Sequence, residues 1–214
     1  EFKFYAAMIA GFTLFIMLEL IFRCNYEVEH AFRSSAFQVV SFITTTGLFS
    51  DDAAKWPHVT WVVLAACMFF GGSSGSTSGG IKSIRGVMLV KVIKNEFRQI
   101  LHPNAVLPMK VDGYNVQMCK RVTLLAFIGL YLFLAVICAF TMIAAGIDST
   151  NSMTITLSSL GNVGPTLGLE IGPTMSWNEL PDFAKWISSF LMLVGRLELF
   201  SVLVLFTPSF WKEN

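Results

Sequence analysis

Apolar and polar residues alternate along this chain in blocks of two sizes. Phe4–Phe22 supplies about 19 mostly apolar residues, enough for one membrane-crossing helix of roughly 28 Å at 1.5 Å per residue. Glu19 lies in its last turn, where an acid can snorkel or face protein. Ala31–Ile43 has a helical apolar pattern, but its roughly 13 residues predict only about 20 Å of helix, too short to cross. It ends at Thr44-Thr45-Thr46-Gly47, and the chain then turns acidic and polar through Asp51, Asp52 and Lys55. Val59–Gly72 is apolar over about two-thirds of a bilayer and runs into Ser73–Gly80 (SSGSTSGG). The apolar pattern resumes as Ile81–Phe97, with Lys82, Arg85, Lys91 and Lys94, so one spanning element is interrupted midway. Gln99–Met118 is a polar connection, within which Lys110–Val116 reads as a small hairpin turning at Asp112-Gly113. Arg121–Ala145 predicts another span, and Thr150–Leu160 a second short helix ending at Gly161-Asn162-Val163-Gly164-Pro165. A Gly/Pro-rich loop follows, and Phe183–Phe206 is the last span.

A shift of 117 positions lays the second half over the first without a gap. Ser41–Gly47 (SFITTTG) falls on Ser158–Gly164 (SSLGNVG), and Phe4–Phe22 on Arg121–Ala139, each entered just after a lysine (Lys3, Lys120). The same shift sets Gly79 opposite Arg196. Direct identity is low, yet one offset aligns three unlike features, which predicts a duplicated membrane unit. The expected fold is an all-α membrane protein of two span–pore helix–span repeats. Residues 1–98 form the first repeat, 99–118 a connection and 119–214 the second.

Composition agrees with the pattern. The chain is 54% hydrophobic and only 14% charged, with a mean hydropathy of +0.64; soluble domains carry about 25% charge. The net charge of +1 hides an asymmetry. Lys3, Lys82, Arg85, Lys91, Lys94, Arg98, Lys110, Lys120, Arg121 and Lys212 fall on one side of the predicted spans. Arg23, Arg33, Lys55 and Lys185 fall on the other, among Glu27, Glu29, Asp51, Asp52, Asp148, Glu170, Glu179 and Asp182. The bias of basic residues makes the first side cytoplasmic, together with the Gln99–Met118 connection and the C-terminus. The short helices then re-enter from an acidic outer face, which concentrates cations without choosing among them. Cys24, Cys67, Cys119 and Cys138 lack CxxC spacing and read as isolated apolar fillers. No cleavable signal peptide is expected, because Phe4–Phe22 is long enough to span.

Backbone that leaves helix at membrane depth must be buried in protein or line water. A short helix ending in a Gly-containing loop offers its C-terminal carbonyls and the loop carbonyls to a cation, in place of hydration water. Gly47 and Gly164 would relieve the steric cost of such turns, and Thr44–Thr46 could add hydroxyl acceptors. This is potassium-filter logic, although TVGYG is absent. The alternative is that TTTG and GNVG are ordinary turns at helix ends; two of them at one repeat offset, each after a half-length helix, weigh against it. Ser73–Gly80 reads either as a flexible linker or as a loop obstructing the pore beneath the filter. Arg196, an expensive guanidinium inside an apolar run, needs partners. The offset puts it at the depth of Gly79, with loop carbonyls or another helix as candidates, while Glu198 should face elsewhere. Lys82, Arg85, Lys91 and Lys94 are either topology markers or docking points for a regulator.

Five segments in order, FQVVSFITTTG, GGSSGSTSGGIKSIR, HPNAVLP, GNVGPTLG and GRLELFSVLVLFTPSFWK, resemble the C-terminal half of the TrkH family, membrane subunits of the bacterial Trk potassium uptake system. The resemblance covers nearly the whole chain. It implies the last two of four repeats around one pore of pseudo-fourfold symmetry. Thr45, Thr46 and Gly47 would form one potassium filter segment and Asn162, Val163 and Gly164 another, the latter without threonine and so acting mainly through carbonyls. It also implies an intramembrane gate made of Gly75, Ser76, Thr77, Ser78, Gly79 and Gly80, with Arg196. The implied setting is the bacterial inner membrane, in a homodimer with one pore per subunit, gated by a cytosolic nucleotide-binding ring (TrkA). Potassium is the transported ion; no cofactor, catalytic residue or nucleic-acid partner is expected. Two filter segments cannot enclose an ion, so either two such chains pair or, as Glu1 in place of methionine favours, two further units are expected upstream. The same filter serves a channel or a proton- or sodium-coupled symport.

Rival readings are weaker. Gly71–Gly75 fits GxSxG and GSSG fits the GxSG of intramembrane serine proteases, but His30, His58 and His102 are not placed on a later span to activate a serine. Gly75–Ser83 falls one residue out of register for a phosphate loop, and no strand precedes it. A purely structural scaffold would leave two re-entrant loops without purpose. Within transport the runner-up is a Ktr-type, sodium-dependent subunit, against which HPNAVLP speaks.

Overall fold

The structure, a computed structural model, describes residues 1–103, 108–111, 114–167 and 177–211. Most of HPNAVLP, the Asp112-Gly113 turn, Gly168, Glu170 and Lys212 lie outside those residues.

Eight α-helices occur among the described residues. Helix α1 (Phe2–Cys24) and the later α5 (Met118–Ala144) are both long and apolar enough to cross a membrane. Asn25, a residue that tolerates left-handed backbone, ends α1 at φ 52. Arg23 Nε sits 2.8 Å from the Glu19 carboxylate one turn back. The short α2 (Val28–Ile43) packs along α1 and carries Val39, Phe42 and Ile43 into the core. Helix α3 (His58–Phe69) is followed by an irregular segment and then α4 (Ser83–Leu101), the interruption anticipated at Ser73–Gly80. Strands β1 (Lys110–Val111) and β2 (Tyr114–Asn115) pair antiparallel, Lys110 with Asn115 and Val111 with Tyr114, the register of a two-residue hairpin. In the second unit α6 (Ser149–Gly161) is the short helix. Asp148 caps it, accepting from the amides of Thr150 and Asn151 at 2.9 and 3.4 Å.

The last span differs from expectation. It breaks after α7 (Asp182–Arg196) and resumes as α8 (Leu199–Val204), because Glu198 takes φ 64. An apolar run does not register such a break, since either half would read as helix. Arg196 is therefore a helix C-terminal residue, where a cation is favoured by the helix dipole, rather than a mid-helix charge.

Packing interlocks the two units. The core of the first, built on Ile16, Leu20, Phe42, Trp61 and Leu64, also takes in Val163 and Leu167 from the second. The second core joins Phe127, Tyr131, Leu160, Leu191 and Val194 to Ile81, which precedes α4. Many large apolar side chains on α1 and α5 stay exposed, including Phe22, Phe133 and Phe140, as a lipid-facing helix requires. The four cysteines are unpaired; Cys67 and Cys138 are buried as expected of fillers, whereas Cys119 is exposed.

Candidate functional site

Helices α2 and α6 end in one backbone conformation. Thr45 and Asn162 both have φ 55, and two residues on Gly47 and Gly164 have φ 71 and 103. The Thr46 amide donates to Ser41 O at 2.9 Å, and the Val163 amide to Ser158 O at 3.0 Å. Thr45 and Asn162 each donate to the carbonyl three residues back at 3.2 Å. Every one of these pairs keeps the 117-residue offset. A β-branched threonine resists left-handed backbone, at about 1–2 kcal/mol, and strain of that sort gathers at functional sites.

The loops touch. A Cβ on Gly47 would collide with the Val163 carbonyl oxygen and stand 3.0 Å from Pro165 Cδ. Glycine is thus required at Gly47 twice over, by its φ and by this approach. The Val163 side chain is buried in the core of the first unit, so only its backbone is open to the loop junction. In the first loop Thr44 Oγ1 donates to Val40 O at 2.7 Å, and Thr44 and Thr46 hydroxyls are 2.8 Å apart. A hydroxyl has a single proton, so Thr46 is the donor in that pair and its own oxygen keeps its lone pairs free.

One difference between the loops has a clear chemical origin. Ser41 Oγ accepts from the Leu48 amide at 2.8 Å and donates to its carbonyl at 2.7 Å, closing the first loop like a staple. The offset puts Pro165, which has no N–H, at the place of Leu48. Ser158 Oγ is accordingly buried without a hydrogen-bond partner among the described residues.

The Gly/Ser segment is pinned at its stem. Phe70 and Ile81 form a parallel bridge, Gly71 N donates to Ile81 O at 2.9 Å, and Ser83 Oγ donates to Gly71 O at 3.1 Å. Ser78 Oγ accepts from Gly72 N at 2.8 Å. Gly71, Gly72, Ser78 and Gly79 are buried, while Ser73, Ser74, Gly75 and Thr77 form an exposed tip and Ser76 is half-buried. Ser74 Oγ donates to the Glu1 carboxylate at 2.9 Å. At Gly79 the stem meets the end of α6: an added Cβ would collide with the Gly161 carbonyl oxygen and lie 2.9 Å from Asn162 Cβ. Gly195 packs on the same helix end, where a Cβ would strike Leu160 O. Gly80, at φ 71, completes the turn into Ile81.

Beside this junction is a cleft of about 60 Å³ lined by Ser76, Thr77, Ser78, Lys82, Arg196 and Glu198 among others. Arg196 is exposed in it and makes no hydrogen bond or ion pair among the described residues, so the expected bonds to loop carbonyls are not present. Glu198, on the same cleft, pairs with Arg85 and Lys82 at 3.1 and 3.5 Å rather than with Arg196.

A family profile described as "TrkH: Cation transport protein" matches residues 2–213. The chain belongs to the TrkH family. Relatives include the "Trk system potassium uptake protein TrkH" of Halomonas elongata, 34% identical over all of this chain and 44% of that protein. The TrkH of Escherichia coli K12 is 36% identical over 94% of this chain and 42% of its own length. The solved structure titled "Crystal Structure of the Potassium Transporter TrkH from Vibrio parahaemolyticus" superimposes with a TM-score of 0.91 at 33% identity, over 99% of this chain and 45% of that one. The chain thus spans less than half the length of the TrkH proteins it matches. Its all-α membrane fold is theirs, and the names they carry are those of transporters rather than enzymes.

The residues singled out from sequence fall into two groups that meet. Thr45, Thr46 and Gly47 adjoin Val163 and Pro165, and Gly79 abuts Gly161 and Asn162. Three elements escaped the sequence reading: the Ser41 staple, the Gly195 contact and the Glu198 pairs. Ser41 heads the SFITTTG motif and Glu198 is an acid in an apolar run, so each left a trace in the pattern.

Proposed function

We propose that this chain is the C-terminal half of a Trk-type potassium uptake subunit, with residues 1–98 and 119–214 each supplying one pore unit joined by a cytoplasmic connection. Potassium passes the backbone oxygens of Thr45, Thr46 and Gly47 and of Asn162, Val163 and Gly164, which replace its hydration water. The observation that carries this reading is the matched pair of loops, alike in φ and hydrogen bonding and in contact through Gly47 and Val163. Positive φ at every second residue turns successive peptide planes over, a backbone suited to presenting carbonyls along one line. Gly75–Gly80 sits against the second loop through Gly79 and is the gate, with Arg196 on the adjoining cleft.

The remaining half of the pore comes from upstream sequence of the same subunit, two subunits pair, and a cytosolic nucleotide-binding partner of the TrkA kind acts on the gate. The setting is the bacterial inner membrane. The test is rubidium-86 uptake by the full-length protein in cells lacking their own potassium uptake, with and without sodium or a proton gradient. Saturable uptake blocked by excess potassium, without a sodium requirement, is the expected result. A strict sodium requirement would favour a Ktr-type subunit, and absence of uptake with the protein in the membrane would refute the assignment.

A further inference from the structure

Helix α4 begins against ordinary helix electrostatics. Its N-cap, Lys82, has no side-chain acceptor, its first turn carries no acid, and Arg85 lies in that turn. A helix N-terminus presents unpaired N–H groups and partial positive charge, so two cations there are unfavourable until an anion joins them. That anion comes from the other repeat: Glu198 Oε1 is 3.1 Å from Arg85 Nη2 and 3.5 Å from Lys82 Nζ. Arg85 is fixed from a second direction, its guanidinium lying 3.9 Å from the centre of the Phe127 ring. Both cation side chains are more than three-quarters buried, at 22% and 23% exposure, whereas the Glu198 carboxylate is 46% exposed, so the pairs are only partly shielded from solvent.

Reaching this position requires distortion. Glu198 holds φ 64 and ψ 133 and interrupts the last span between α7 and α8. Such backbone persists only where the surroundings impose it. Lys82 also ties the tip to this point, with Nζ 3.5 Å from Ser74 O. The start of α4, the foot of the Ser73–Gly80 segment and the α7/α8 break thus converge on one carboxylate.

We propose that Glu198 is the positioning residue of the gate. Its carboxylate latches the start of α4 to the α7/α8 break and so holds Gly79 against Gly161 and Asn162. This rests on the reading of Gly75–Gly80 as the gate, and the test separates the two. Gly79 lies three residues before Lys82, so a withdrawal of the loop that moves the start of α4 carries Lys82 and Arg85 away from Glu198, and the pairs favour the obstructing position.

Regulator-free rubidium-86 uptake is measured for the full-length protein at matched membrane levels. Glu198→Gln keeps the shape and removes the charge; basal uptake rises roughly threefold to tenfold, the range of a partly buried ion pair with a helix-dipole component. Glu198→Asp keeps the charge and stays near wild type. Arg85→Gln combined with Lys82→Gln attacks the latch from the other side and gives the same rise, which also decides the matter if Glu198→Gln fails to reach the membrane. The triple variant rises no further than either parent. Unchanged or lowered uptake in Glu198→Gln, or a triple variant equal to the product of its parents, overturns the latch. Gly79→Ala is run in parallel: a rise there with Glu198→Gln unchanged sinks the latch and leaves the gate, whereas no rise in either sinks the gate itself.

Discussion

Gly79→Ala is the substitution for which the structure gives the clearest number. A Cβ at Gly79 would collide with the Gly161 carbonyl oxygen and stand 2.8 Å from the carbonyl carbon and 2.9 Å from Asn162 Cβ. Comfortable carbon contacts begin near 3.5 Å, so either the loop retreats by several tenths of an ångström or the end of α6 yields. The obstacle is backbone at the end of a packed helix, not the tip of a movable side chain, and the loop gives way. Overpacking of this kind costs about 1–3 kcal/mol. With a factor of ten for each 1.4 kcal/mol, the obstructing position loses roughly fivefold to more than a hundredfold in population. Basal rubidium uptake by the full-length protein, without its regulator, rises by a factor in that range until the open state dominates. Gly75→Ala is the matched control in the same loop, because nothing lies within 4 Å of a Cβ there. It leaves uptake within about twofold, as a surface change worth under about 0.5 kcal/mol would. Equal effects of the two alanines, or lower uptake in Gly79→Ala at normal membrane abundance, would refute the reasoning.

Other consequences follow from the loop geometry. Ser41→Ala removes both bonds to Leu48 and costs about 1–3 kcal/mol, read as a lower Tm in detergent and weaker discrimination of potassium from sodium. Ser158→Ala deletes a hydroxyl that has no partner and leaves both quantities nearly unchanged; equal losses in the two would contradict the role given to Pro165. Gly47→Ala meets both an unfavourable φ and the Val163 carbonyl, at about 2 kcal/mol or more, and uptake falls at least tenfold in the same rubidium assay. Asp148→Ala removes the α6 cap at about 1 kcal/mol, lowering Tm while selectivity holds, because the cap lies at the far end of α6 from Asn162.

How much of this was legible in the chain depends on what each feature writes into hydrophobicity. Spanning helices write long apolar runs, and α1 and α5 came through within a few residues of their ends. The short helices were legible as runs too brief to cross, followed by glycine, and the offset between them survives as shared φ values and shared hydrogen bonds. The break at Glu198 writes nothing of that kind. Phe183–Phe206 is apolar on both sides of it, and the residue at the bend, Glu198, pairs with residues more than a hundred positions earlier. The shared partner of Lys82 and Arg85 was hidden for the same reason. As isolated letters they mark topology, and only folding shows that they share a carboxylate.

The Gly/Ser tract makes a related point about entropy. From composition it is a segment that resists ordering, and its tip, Ser73–Gly75 with Thr77, is exposed, held by the bonds of Ser74 to Glu1 and Lys82. Its stem is different, because small side chains let backbone approach backbone at Gly71, Gly79 and Gly161, and the serine hydroxyls satisfy the amides so exposed. The same composition thus serves a buried seat and an exposed tip, divided by which residues reach the end of α6. A gate needs both: a closed position defined to a fraction of an ångström, and few side chains to drag when it leaves. Substitutions in the stem should therefore change how often the loop is seated, and substitutions in the tip should not.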